Sequence, residues 1–112
     1  MDKRLKDALE YANYVDAFKN QKRILQQKYD KDLMLYWKGH AFKASIELIS
    51  FAVNQGTPYW VTDINNIPCF IDEVLEFHKK LQETYNTATT SFGEAYAKML
   101  KGKRSVEGLL GV

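Results

Sequence analysis

Apolar residues recur at helical spacing over the first quarter of the chain. Between Asp2 and about Tyr29 no glycine or proline interrupts this pattern. Acidic residues lie early in the segment and basic residues lie late, which is the order that the helix dipole favours. The pattern predicts one long N-terminal helix. Its apolar stripe consists of Tyr11, Tyr14, Val15, Phe18, Leu25 and Tyr29, preceded by Leu5, Ala8, Leu9 and Ala12.

The spacing changes after Asp32. Two short apolar runs, residues 33–37 and 40–44, flank the dipeptide Lys38-Gly39. This arrangement is typical of a tight β-hairpin. The alternative is a helix that continues through residues 32–44, in which Gly39 would cost about 1 kcal/mol relative to alanine. We favour the hairpin.

A short helix and a second hairpin are predicted next. Ser45 is a suitable N-cap for a helix that ends before Gly56, which we expect in the left-handed conformation, with Pro58 preventing continuation. Residues 58–71 then form two apolar runs around Asn65-Asn66, a pair that tolerates the positive φ of a turn. Pro68 lacks an amide donor, so its strand should lie at a sheet edge.

The last helix is predicted to begin at Asp72 and to end at Gly102. Threonine, serine and glycine near residues 89–93 are poor helix formers, so we expect a kink or break there. The complete pattern predicts an α+β fold in which two β-hairpins form a small antiparallel sheet, flanked by two long helices and one short helix. We expect a single domain over residues 1–100 and a basic, then apolar, C-terminal tail over residues 101–112.

Composition and charge narrow the class of protein. The chain has 112 residues and a net charge of +2, which is too weak a basic excess to indicate nucleic-acid binding by itself. The ends are basic and residues 44–78 contain no Lys or Arg. Because Cys69 is the only cysteine, we expect a reducing compartment, cytoplasmic or virion-associated. No apolar run is long enough to cross a membrane, and the N-terminus has no apolar signal region.

Few residues are candidates for chemistry. His40, Cys69 and His78 do not have the spacing of metal ligands. Cys69 and His78 could form a nucleophile pair, but a cysteine in a strand is usually buried and inert. We therefore predict no enzyme activity, no catalytic residue, no metal and no cofactor.

Apolar side chains occupy both faces of the predicted strands, which is more than one small fold can cover. This surplus predicts a protein–protein interaction or assembly protein that self-associates or docks as a small subunit of a larger particle, for example a phage structural or assembly factor. The predicted interface consists of Tyr36, Trp37, Tyr59, Trp60, Leu109 and Leu110. The alternative is a nucleic-acid-binding accessory protein in which the strand aromatics stack on bases and a basic tail contacts phosphates. The tail residues in that alternative are Lys101, Lys103 and Arg104.

Overall fold

The computed structural model of the chain describes residues 2–109, with side chains over residues 2–102. It contains three helices and two antiparallel hairpins, which confirms the predicted α+β class. The elements are α1 (Lys3–Asp32), β1 (Met34–Trp37), β2 (His40–Lys43), α2 (Ile46–Val53), β3 (Tyr59–Thr62), β4 (Pro68–Ile71) and α3 (Val74–Leu109).

The first hairpin excludes the helical alternative for residues 32–44. Strands β1 and β2 pair antiparallel, with Trp37 opposite His40 and Leu35 opposite Phe42. The two turn residues have positive φ, 48° at Lys38 and 82° at Gly39. Positive φ at both central positions matches the right-handed twist of the strands, and glycine adopts it without a steric penalty.

The start of α2 agrees with the sequence, but its end does not. The Ser45 side chain accepts a hydrogen bond from the Leu48 amide, as an N-cap does. The predicted left-handed conformation at Gly56 is wrong, because Gly39 is the only described glycine with positive φ. The Asn54 amide instead donates to the Phe51 carbonyl at 3.3 Å, which tightens the last turn. A tightened last turn satisfies the terminal carbonyls without a left-handed residue.

The second hairpin forms its own two-stranded sheet, so the hairpins do not merge into the single sheet that the sequence suggested. Trp60 pairs with Phe70, and Asn66 supplies the positive φ of the turn at 62°. A backbone hydrogen bond of 2.9 Å joins the Ile64 amide to the Ala41 carbonyl of the first hairpin. The hairpins are therefore linked through a turn instead of a shared strand ladder.

Helix α3 is not broken at residues 89–93 and does not end at Gly102. It passes through residues 89–93 and through Gly102 as continuous helix. Poor propensity is offset locally, because the Thr89 hydroxyl is hydrogen-bonded to the Tyr29 hydroxyl at 2.8 Å and Ala88 is buried. One glycine costs only about 1 kcal/mol in a helix, so its neighbours decide the outcome.

The chain divides into two compact units, which are described separately. Unit 2 (Tyr29–Thr90) contains both hairpins, α2 and one end of each long helix. The largest fully buried side chains of its core are Phe42, Ile71, Phe77 and Leu81. Unit 1 combines Met1–Lys28 with Ser91–Val112. Among its described side chains, over residues 2–28 and 91–102, none is buried.

Candidate functional site

The predicted interface aromatics separate into two groups. Tyr36 and Trp60 are 77% and 66% exposed, whereas Trp37 and Tyr59 are each only 8% exposed. Neighbouring side chains on a strand point to opposite faces, so each Tyr-Trp pair places one ring inside and one outside. Trp37 and Tyr59 are therefore core residues, and Tyr36 and Trp60 remain available to a partner.

The two buried aromatics contribute to packing. Trp37 contacts Phe77 edge to face, with the ring centroids 5.3 Å apart. Tyr59 contacts Phe51 in the same way at 5.6 Å. Burial raises the pKa of the Tyr59 phenol, and its hydroxyl has no hydrogen-bond partner among the described residues. A buried hydroxyl without a partner costs free energy, so Tyr59 contributes to the core through its ring and not through its hydroxyl.

The outer face of the second hairpin carries an aromatic pair. Trp60 and Phe70 lie opposite each other across the strands, with their centroids 5.2 Å apart. Ile64 and Ile67, at the adjoining turn, are also exposed. Clustered exposed apolar side chains of this kind are typical of interaction surfaces.

Most of the predicted contact residues of the C-terminal tail lie beyond the described side chains. Lys101 is exposed on α3, whereas the side chains of Lys103, Arg104, Leu109 and Leu110 lie outside the described residues.

Lys38, which follows the buried Trp37, is paired with two carboxylates. Its Nζ lies 3.3 Å from Asp72 Oδ1 and 3.2 Å from Glu73 Oε1. The hydrogen bonds that Lys38 donates to Glu73 and Asp72 raise its pKa. Its charge is thus already paired within the chain.

His40 and Asp63 form a largely buried polar pair that the sequence did not predict. Asp63 is nearly inaccessible, and one of its carboxylate oxygens lies 2.8 Å from His40 Nδ1. The other oxygen accepts hydrogen bonds from the amides of Asn65 and Ile67 at 2.8 and 2.9 Å. The His40 hydrogen bond, followed by the Ile67 amide, lowers the pKa of Asp63. An aspartate at the first position of the turn formed by residues 63–66 is the sequence signal for the turn contacts.

The hydrogen bond between His40 and Asp63 links the two hairpins. His40 begins β2, while Asp63 follows β3, and the Ala41–Ile64 backbone bond lies beside it. The contacts of the Asp63 carboxylate are made within the protein, so a structural role is enough to explain the His40–Asp63 pair.

Cys69 does not have the environment of an activated nucleophile. The thiol is buried, and burial together with the charge of Asp63 raises its pKa. Reactive cysteines require the opposite shift, because the thiolate is the attacking species. His78 is half-buried on α3, and its Nδ1 has no partner among the described atoms. Within the described residues, no cluster of three or more His, Cys, Asp or Glu side chains could hold a metal.

An open apolar groove lies between α1 and α3 in unit 1. It has a volume of about 570 Å³. Tyr14, Phe18 and Leu25 line it from α1, and Ala95 and Met99 line it from α3. The apolar spacing of the sequence predicts that the lining residues of each helix share one face, but it does not predict that these faces stay uncovered.

In the described part of the chain, no helix is both long and apolar enough to cross a membrane.

In comparisons with known proteins, no family model, curated protein or solved structure matches this chain. The functional argument therefore rests on its surfaces. These are the apolar groove of unit 1 and the aromatic outer face of the second hairpin in unit 2.

Proposed function

We propose that this chain is a non-enzymatic assembly protein that works by burying apolar surface against protein. The partner that we propose is a second copy of the chain. The alternative partner is a larger particle in which the chain is a small subunit. One observation carries the proposal: unit 1 has no buried side chain among those described, although its helices carry aromatic and aliphatic stripes.

The physical reason is the way in which helices are stabilised. In proteins, most helical stability comes from packing of an apolar face rather than from intrinsic propensity. Two helices that leave Ile24 half exposed and keep an open apolar groove between them gain little of this stabilisation. A protein surface laid over the groove would supply the missing burial.

Unit 2 supports the same proposal independently. Its core is complete, yet Tyr36, Trp60 and Phe70 remain exposed. Large aromatic side chains are the residues that most often dominate binding energy at protein interfaces. An enzymatic reading has less support, because Cys69 is buried with a raised pKa and the Asp63 carboxylate is saturated by internal contacts.

The proposal is tested by measuring mass and helicity together on the full chain. Sedimentation velocity over a wide concentration range should give a mass above the 13.0 kDa of one chain. Circular dichroism on the same samples should show helical signal falling on dilution, because the uncovered helices of unit 1 are marginal alone.

The other outcomes have distinct meanings. A 13.0 kDa species with reduced helicity supports docking onto another protein, which would then order unit 1. A 13.0 kDa species that keeps full helicity at every concentration contradicts the proposal, because unit 1 would then be stable uncovered. Binding to a single-stranded oligonucleotide that weakens steeply with salt would instead favour the nucleic-acid alternative.

A further inference from the structure

The lining of the unit 1 groove includes three small residues. Ala17, Ala95 and Gly102 leave space between the larger lining side chains, and a methyl group added at Gly102 would meet no atom within 4 Å outside its own stretch of helix. Tyr14 and Leu25 mark its ends on α1, which corresponds to a length of about 17 Å at 1.5 Å per residue. A depression of this shape between two neighbouring helices fits the side-chain ridge of a third helix.

The described part of unit 1 also contains a matching ridge. Leu5, Ala8, Leu9 and Ala12 follow the spacing i, i+3, i+4 and i+7, and all four are exposed. Leu5 and Leu9 are 53% and 48% exposed. We call these four residues the N-terminal stripe. It is about 10 Å long, short enough to lie within the groove.

The stripe and the groove lie on different sides of α1. At 100° per residue, the centre of the stripe is about 135° around the helix from the groove-lining residues Ala17, Gln21 and Ile24. One straight helix cannot turn both faces toward the same neighbour. A contact between stripe and groove therefore joins two copies through unlike surfaces, which is a heterologous, head-to-tail interface.

The charges of the two segments favour this arrangement. Residues 2–13, which carry the stripe, have three acidic and three basic side chains. The segments that carry the groove, residues 14–28 and 91–102, have six basic and two acidic side chains. Groove against groove would bring two basic segments together, whereas stripe against groove brings a neutral segment to a basic one.

We propose that the groove of unit 1 is occupied by the N-terminal stripe of α1 from a second copy of this chain, so that copies associate head to tail. This inference rests on the proposed function, since it names the partner and the contact of the same assembly. Head-to-tail contacts produce closed rings or filaments instead of a symmetric dimer.

Two matched substitutions test the contact on the full chain. Leu9→Lys places a charge in the stripe and leaves the groove intact, while Ile24→Lys places a charge in the groove and leaves the stripe intact. Leu75→Lys is the control, because Leu75 is 86% exposed and belongs to unit 2. Each of the first two variants should weaken association at least about tenfold, and the control should not change it.

Mixing provides the decisive measurement by sedimentation. Each disrupted variant keeps one working surface, so the Leu9→Lys and Ile24→Lys variants together should form a 1:1 complex that cannot extend. Formation of that complex also shows that both variants are folded. If the wild type associates but mixing restores nothing, or if either substitution leaves association unchanged, the head-to-tail contact is refuted and the assembly role remains. A wild type that stays a fully helical monomer removes the proposed function as well.

Discussion

Phe77 links α3 to the first hairpin in the core of unit 2. It is fully buried, and its ring contacts Trp37 and Phe42 edge to face at centroid distances of 5.3 and 5.1 Å. It thus joins α3 to both strands of the first hairpin. Phe77→Leu keeps an apolar side chain at this position and removes both aromatic contacts.

The expected loss follows from those contacts. Each edge-to-face pair contributes about 0.5–1.5 kcal/mol beyond burial, and the change of shape in a packed core adds about 1 kcal/mol. Phe77→Leu should therefore lower the free energy of unfolding by about 2–4 kcal/mol. Leu75→Ala, two residues earlier on the same helix, should lower it by less than about 0.5 kcal/mol, because Leu75 is 86% exposed.

Urea denaturation followed by circular dichroism measures both values. Protein concentration must be equal in all samples, because association changes apparent stability. With a slope of about 1–2 kcal/mol per molar urea, the Phe77→Leu midpoint should fall by at least about 1 M. Equal midpoints for the two variants would refute the placement of Phe77 at the centre of the core.

Three further predictions concern single polar or reactive groups. The folded-state pKa of Asp63 is lowered, so its contribution to stability is complete above the unfolded pKa of about 4 and is lost as pH falls through the folded value. Urea titrations at several pH values should show this loss, and Asp63→Asn should flatten it; an unchanged profile would contradict the contact with His40. Ser45→Ala should destabilise the protein by about 1 kcal/mol, measured by the urea midpoint, because it removes the N-cap of α2. Cys69 should react with a thiol reagent at pH 8 only as fast as the protein unfolds, because it is buried with a raised pKa; rapid labelling of native protein would show that the site is open.

The elements that the sequence predicted correctly are those with local signals. Lys38-Gly39 predicts a tight turn because glycine tolerates positive φ, and both residues have it. Ser45 predicts the start of α2 through one hydrogen bond three residues away. These contacts span only a few residues, so no knowledge of the rest of the fold is needed.

The remaining features depend on contacts that are distant in sequence. Tyr36 and Trp37 are both aromatic, so the sequence predicts that they point to opposite faces but not which of the two is buried. Trp37 is the buried one because it packs against Phe77. The same uncertainty placed Tyr59 in the predicted interface. Likewise, the pairing of His40 with Asp63 spans 23 positions, and neither residue alone predicts the other.

The uncovered helices of unit 1 have a physical explanation in the continuity of α1 and α3. Helix formation is limited by nucleation, whereas each further residue adds to an existing helix easily. Each long helix has one end within unit 2. Leu81 of α3 is buried there, and α1 is followed directly by the buried Leu33, whose amide donates to the Tyr29 carbonyl. Nucleation at these ends makes extension of both helices into unit 1 less costly, but the extended parts have no buried side chain of their own among those described. An assembly contact supplies the burial that stabilises them. On this argument, association of the chain should weaken when the core of unit 2 is destabilised, even though no core residue lies in the contact.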